Sequence, residues 1–392
     1  MRIAQLANFI GPASGGMKTA VERLGAGYVE AGAERLLVVP GPRDARTSTD
    51  AGDVVQVRAP RVGGGYRLIL EPWRVVDILE QFSPTSVEVS DKSTLLPVTR
   101  WARRNDVGSV LFSHERLDAM LSLRTGWESG IAPPVAVLNR LLVRRFDTVV
   151  VTSEFAADEF GAVARAAGTS IHRIPLGVDL DTFRPGPARR RTGPLRLVHA
   201  GRLSREKSPH LAVATAVALH RRGVDVRLDV YGTGPHRDEL EQVAAGAPIR
   251  FHGHVAGRAA LAGRLRAADI ALSVCPGETF GLAVLEALAC GTPVVTADVG
   301  GARELVDDAS GAWGEPDPDS LADAVLQLAC RDVRARRRAA RRRAEQFPWS
   351  ATTTAMLAMH ARHGRGLNPG LADGLADGRS SGLAAGQDTL AG

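Results

Sequence analysis

Short runs of apolar, mostly β-branched residues recur along the chain, each followed by a Gly, Pro or Asp break and then a longer stretch with helical spacing. The runs of the first half are RIAQLA (2–7), RLLVVP (35–40), SVEVS (86–90), GSVLFS (108–113) and DTVVVTS (147–153). Runs this short, set between helical segments, read as parallel strands covered on both faces. The alternation stops at LGVDLDTFRPGPARRRTGP (176–194), which lacks periodicity and reads as a linker. It then restarts with LRLVHAG (195–201), DVRLDVYG (225–232), IRFHG (249–253), DIALSVC (269–275) and TPVVTAD (292–298). The pattern predicts an α/β protein with two doubly wound parallel-sheet domains facing across a cleft, over residues 1–183 and 184–345. Ligands of such sheets bind outside the carboxyl ends of the strands, so the cleft is the expected site. A helical segment over 346–366, interrupted at Pro348, and a disordered tail over 367–392, where GLADGLADG repeats, complete the expected organisation.

Composition narrows the class. The 392 residues are 44% hydrophobic and 23% charged, and no run approaches the roughly 20 apolar residues of a membrane span. The opening MRIAQLANFIGP lacks the long apolar region of a signal peptide, so a cytoplasmic location is expected. Cys275, Cys290 and Cys330 show no CxxC spacing and read as buried thiols rather than a disulfide framework or zinc site. The net charge of +6 would suit a polyanion, but aromatics are only 5% of the chain and are not interleaved with the basic residues, which argues against nucleic acid. The arginine run RDVRARRRAARRRAEQ (331–346) reads as a solvated helix face.

Chemistry concentrates in PGETFGLAVLEALACGTPVV (276–295). Pro276 and Gly277 end a strand, a helix is expected from Phe280 or Gly281, and Glu278 falls in the loop before it. Glu286 follows eight positions later, a separation of about 12 Å along a helix. One carboxylate can then hold hydroxyls at each end of a long polar ligand. The amides of Phe280, Gly281 and Leu282 between them would face a diphosphate at the positive end of the helix dipole. Upstream, HAGRLSREKSP (199–209) sets Arg202 and Lys207 at a strand end near the same cleft, where two cations can stabilise negative charge on a leaving group.

The string E-x-F-G-L-x-x-x-E resembles the E-x7-E signature of the family 4 retaining glycosyltransferases, which have the GT-B fold. The resemblance implies that Glu278 contacts the transferred sugar and Glu286 the ribose, and that Arg202 and Lys207 clamp the diphosphate in place of a metal. It places the nucleobase near His254 and Val255. It also puts Gly16, in the glycine-rich loop NFIGPASGGMKTAVERL (8–24), beside the donor phosphate and His114, in LFSHERLD (111–118), against the sugar. From GGMKTAVERLGAGY to RRRAEQFPWS the chain is most similar to the mannosyltransferases that extend phosphatidylinositol mannosides from GDP-mannose, particularly the type adding a third mannose. The implied partners are a nucleotide sugar and a glycolipid acceptor, with peripheral contact to an anionic membrane, at its inner face. Leu138, Leu141 and Leu142 with Arg140, Arg144 and Arg145 could form a basic interfacial helix for that contact.

No cofactor and no essential metal are expected. The D-x-D patterns DLD (179–181) and DPD (317–319) read as turn and capping residues outside the cleft, and His252 with His254 as a pair lacking a third ligand. Two other readings are a transferase of the same fold acting on a soluble acceptor, and a noncatalytic nucleotide-sugar-binding protein. The paired glutamates and cationic clamp argue against the latter.

Overall fold

The computed structural model describes residues 1–8, 10, 15–62, 66–90, 92, 94–125, 132–187, 193–244 and 246–363. The expected tail over 367–392 and most of the glycine-rich loop before Gly15 lie outside these residues.

Two sheets carry the chain. The first has eight strands. From its centre, Arg2–Leu6 is flanked on one side by Ser86–Val89, Gly108–Ser113, Thr148–Val151 and Ile171–Arg173, and on the other by Glu34–Gly41, Gly52–Arg58 and Ala45–Thr49. Every pairing is parallel except the outermost, Ala45–Thr49 on Gly52–Arg58. The second sheet has six parallel strands in the order Ile249–Gly253, Val226–Tyr231, Leu195–Ala200, Ile270–Ser273, Val294–Ala297 and Gly311–Gly314. All ten runs singled out by periodicity are strands. The inner parallel strands are buried on both faces because helices cover them, as the unbroken burial of Ser86–Val89, Gly108–Ser113 and Thr148–Val151 shows.

The segment expected as a free linker is partly packed. Leu176, Val178 and Phe183 are buried, and the Val178 amide donates to the Phe347 carbonyl, so the outgoing and returning crossings run side by side. Residues 188–192 of that segment lie outside the described residues. After Pro348 the helix Trp349–His363 returns to the first domain and packs on helix Gly16–Glu30 and strand Gly108–Ser113. Its His360 is fully buried: Nδ1 shares a 2.8 Å hydrogen bond with Ser86, and Nε2 lies 3.2 Å from Glu88. Glu88 also accepts from Tyr28 at 2.7 Å and Gln5 at 2.9 Å, so every polar group of this interior cluster has a partner.

Three surface expectations are corrected. The arginine run is not a simply solvated face. Arg336 is buried against the Leu328 carbonyl, Arg341 donates to the carbonyls of Leu180, Phe183 and Ala289, and Arg343 donates to those of Glu304 and Leu305. The guanidinium fork suits this work because it presents several fixed donors to carbonyls that loops and helix ends leave unpaired. Cys330 is exposed, unlike Cys275 and Cys290. In helix Ala132–Arg145, Leu142 is buried and Leu138 packs on the core of the first domain, which leaves Val137, Arg140, Leu141 and Arg144 on the open face. No helix among the described residues is long and apolar enough to cross a membrane.

Candidate active site

The site assembles where carboxyl-terminal strand ends of both sheets meet. Strand Ile270–Ser273 runs into the loop that carries Glu278, and helix Leu282–Ala289 follows. The helix starts later than Phe280. Gly281 is its N-cap residue at φ +101°, a left-handed conformation that glycine adopts without a Cβ clash. Phe280 is therefore outside the helix, and its side chain is buried in the hydrophobic core. Leu282 is the first helical residue, and its side chain lies 3.4 Å from where a Cβ on Gly16 would stand. Helix Gly16–Glu30 of the first domain thus begins against the helix that follows Glu278.

Lys207, in the turn Arg205–Lys207 after strand Leu195–Ala200, places Nζ 2.8 Å from the Glu278 carboxylate. Burial pulls the ammonium's pKa down, but Glu278 outweighs it and holds Lys207 charged, above its ordinary range. Arg202 turns instead toward Glu206, at 3.5 Å, and Glu206 also accepts from Ser204 at 2.8 Å. Cys275 lies beneath this turn, and burial and the Glu278 charge push its thiol up to about 11. It is a neutral packing residue.

Glu286 sits one turn into helix Leu282–Ala289, its side chain only 12% exposed, with Arg258 at 3.2 Å. Burial raises it to about 7; Arg258 opposes the rise and Asp179 adds to it. Asp179 is accordingly close to the cleft, not remote from it. It still does the work expected of a turn residue, accepting from the amides of Asp181 and Thr182, and pairs with Arg23. Asp317 likewise caps helix Pro318–Ala329.

From the first domain, His114 follows strand Gly108–Ser113, half-buried, with Nε2 3.2 Å from the Ser90 hydroxyl. Burial lowers it to about 4, against an opposing pull from Glu88 and with a smaller downward push from Lys92, so the ring is neutral. Lys92 itself is buried on Glu159 at 2.8 Å and donates to the Glu115 carbonyl, fixing the backbone just past His114. Across the cleft, His254 is exposed and Val255 packs partly on the core, while His252 bonds Asp229 at 2.7 Å and stacks on Tyr231.

Periodicity and motifs gave no sign of the residues that join the halves. The Arg116 amide donates to the Thr279 hydroxyl at 3.2 Å, and the Ser153 hydroxyl donates to the Thr279 carbonyl at 2.6 Å. Gly301 donates to the Glu278 carbonyl at 2.7 Å, and a Cβ there would stand 2.0 Å from the Thr279 oxygen, so only glycine fits. Such a cleft can hold a long polar ligand between a paired cation and carboxylate at one end and a buried carboxylate at the other.

Comparison with known proteins agrees with this geometry. Residues 15–177 match the family described as glycosyl transferase 4-like domain, and residues 194–331 that described as glycosyl transferases group 1. A GDP-mannose-dependent alpha-(1-6)-phosphatidylinositol dimannoside mannosyltransferase of Mycobacterium tuberculosis is 43% identical over 91% of this chain and 95% of its own length. The chain belongs to the family 4 glycosyltransferases. This glycosyltransferase is also 34% identical to a glycogen synthase of Mycobacterium tuberculosis, over 72% of the chain and 70% of the relative. Its fold matches a sucrose-phosphate synthase of Thermosynechococcus elongatus at a TM-score of 0.75, with 20% identity, over 92% of this chain and 98% of that one. The fold is therefore GT-B, as the sequence resemblance implied.

Proposed function

We propose that this glycosyltransferase moves an α-mannosyl group from GDP-mannose to a phosphatidylinositol mannoside, with retention of configuration. The observation that carries the reading is the 43% identity to the mannosyltransferase, maintained over nearly the full length of both chains. In this reading Glu278 orients the mannosyl hydroxyls, and Lys207, held charged beside it, stabilises the departing diphosphate. Arg202, 3.5 Å from Glu206, joins Lys207 on the diphosphate by turning away from that carboxylate. The amides of Gly281 and Leu282 at the helix start, with Gly16 opposite, border the phosphates. Glu286 takes the ribose, and His254 and Val255 border the base. Phe280 contributes through the packing that fixes the loop, since its ring is buried.

His114 is neutral and serves as a hydrogen-bonding group to the sugar, not as a proton shuttle. The acceptor hydroxyl attacks from the face the leaving diphosphate vacates, through an oxocarbenium-like transition state, and its proton passes to the departing phosphate oxygen. Closure of the two domains keeps water away from that charge. No metal is needed in this scheme, because cations of the chain do the neutralising. The open face of helix Ala132–Arg145, with Arg140 and Arg144 beside Val137 and Leu141, supports contact with an anionic lipid surface.

Incubating the protein with labelled GDP-mannose and lipid extract containing phosphatidylinositol mannosides tests the reading, with UDP-sugars and Glu278→Ala in parallel. A new labelled lipid formed only from GDP-mannose and lost in the variant is the expected result. Donor turnover without lipid labelling overturns the acceptor; labelling from a UDP-sugar overturns the donor.

A further inference from the structure

Helix Glu154–Ala167 of the first domain begins with two amides whose acceptor lies outside its own segment. Ser153, the N-cap, accepts from the Ala156 amide at 3.0 Å. The Glu154 and Phe155 amides instead donate to the two carboxylate oxygens of Glu304, at 3.0 and 2.9 Å. Glu304 belongs to the second domain. An acidic group at a helix start is favoured by the unpaired amides and the dipole together, but it ordinarily comes from the same segment. Here it crosses the gap between the sheets.

Glu304 is held firmly from its own side. It lies in the turn Arg303–Leu305, whose carbonyls at 304 and 305 accept from Arg343 at 2.8 and 3.0 Å. Arg173 adds a cation 3.5 Å from the carboxylate and reaches Glu154 at 3.2 Å. Three residues earlier, Gly301 is bonded to the Glu278 carbonyl and packed against both the Thr279 oxygen and the Ser153 hydroxyl. Ser153 closes the circle by donating to the Thr279 carbonyl. The loop bearing Glu278 is thus tied to the second domain through Gly301 and to the first through Thr279. Glu304 fastens the two ties at one point.

We propose that Glu304 is a positioning residue that sets the angle between the domains and, through Ser153 and Thr279, the placement of Glu278 opposite His114. It touches neither donor nor acceptor, so its loss lowers the rate of transfer without weakening the nucleotide site. Hydrogen bonds from backbone amides to a charged carboxylate are among the stronger ones, and two are lost in Glu304→Ala.

The test compares Glu304→Ala, Glu304→Gln and Ser153→Ala with the parent. Three quantities are read: kcat for labelled-mannose transfer, the affinity for GDP by calorimetry, and the distance between spin labels on Cys330 and an Asp77→Cys substitution. Both label positions are exposed, one on each domain. Glu304→Ala is expected to lower kcat roughly tenfold or more, keep GDP affinity within about twofold and broaden the label distances. Glu304→Gln, which retains one acceptor, should fall between. Equal kcat and equal label distances in Glu304→Ala and the parent overturn the proposal, as does a loss of GDP affinity in step with kcat. If Glu304→Ala does not fold, the other two variants carry the comparison. A parent inactive on GDP-mannose would sink the function proposed above, and the label distances, which need no donor, then decide this inference separately.

Discussion

The Lys207 ammonium lies 2.8 Å from the Glu278 carboxylate, although the two residues are 71 positions apart in sequence. Burial alone would lower the Lys207 pKa, and the Glu278 charge outweighs that and holds the ammonium charged. Removing Lys207 leaves Glu278 without its counter-charge and the leaving group without a cation. Lys207→Ala is expected to lower transfer about 100-fold or more, read as labelled product per unit time, while unfolding by denaturant changes little. Transfer within about twofold of the parent would remove Lys207 from the mechanism.

Glu286 yields a pH dependence of unusual sign. Burial lifts it from the ordinary 4.5 to about 7. Between those values the folded chain holds a proton that the unfolded chain has released. Its contribution to stability is therefore fully present below the unfolded value and lost as pH rises through about 7. Glu286→Gln, which carries no such proton, should gain on the parent above pH 7 by up to about 3 kcal/mol. Denaturant midpoints measured across the pH range check this; parallel curves for the two proteins would contradict it.

How much of this was legible beforehand differs by residue. Most of the ten strand runs were readable because strands buried on both faces are largely apolar, while the alternation in Val226–Tyr231 and Ile249–Gly253 marks strands with one more open face. Gly52–Arg58 and its antiparallel neighbour Ala45–Thr49 were not, since that sheet edge is polar and partly exposed. The glutamates at 278 and 286 and the cations at 202 and 207 stood out by motif. Glu304, Ser153, Arg116 and Arg258 did not. Their significance lies in partners far away in sequence, which neither spacing nor composition encodes. The arginine run misled for the same reason: a charged helix face looks identical in sequence whether water or a row of carbonyls lies opposite.

His114 should be silent in titration. Burial sets it at about 4, so between pH 8 and 5 its ring stays neutral while ordinary imidazoles titrate near 6.5. Nuclear magnetic resonance of ring-labelled histidines should show one resonance, absent in His114→Ala, that does not move over this range. A His114 resonance shifting near 6.5 would show that burial does not hold the ring neutral.

The His360–Glu88 contact can be tested by stability alone. Neither residue is accessible to solvent, and His360→Ala would leave Glu88 buried with one partner fewer. A loss of about 3–5 kcal/mol is expected, measured by equilibrium unfolding. Replacing Tyr28 by Phe as well should cost less than the sum of the separate changes if the three groups act as one network; strict additivity would mean they do not.

The returning helix has a consequence for biosynthesis. A ribosome delivers the first domain's sheet early, yet the residue that contacts the carboxylate inside it is made more than 270 positions after Glu88. The nascent amino-terminal half must wait, with an unfilled groove on helix Gly16–Glu30, until nearly the whole polypeptide has emerged. Truncation anywhere before Trp349 therefore damages the half of the molecule farthest from the cut, and a chain stalled late in translation is a ready client for chaperones.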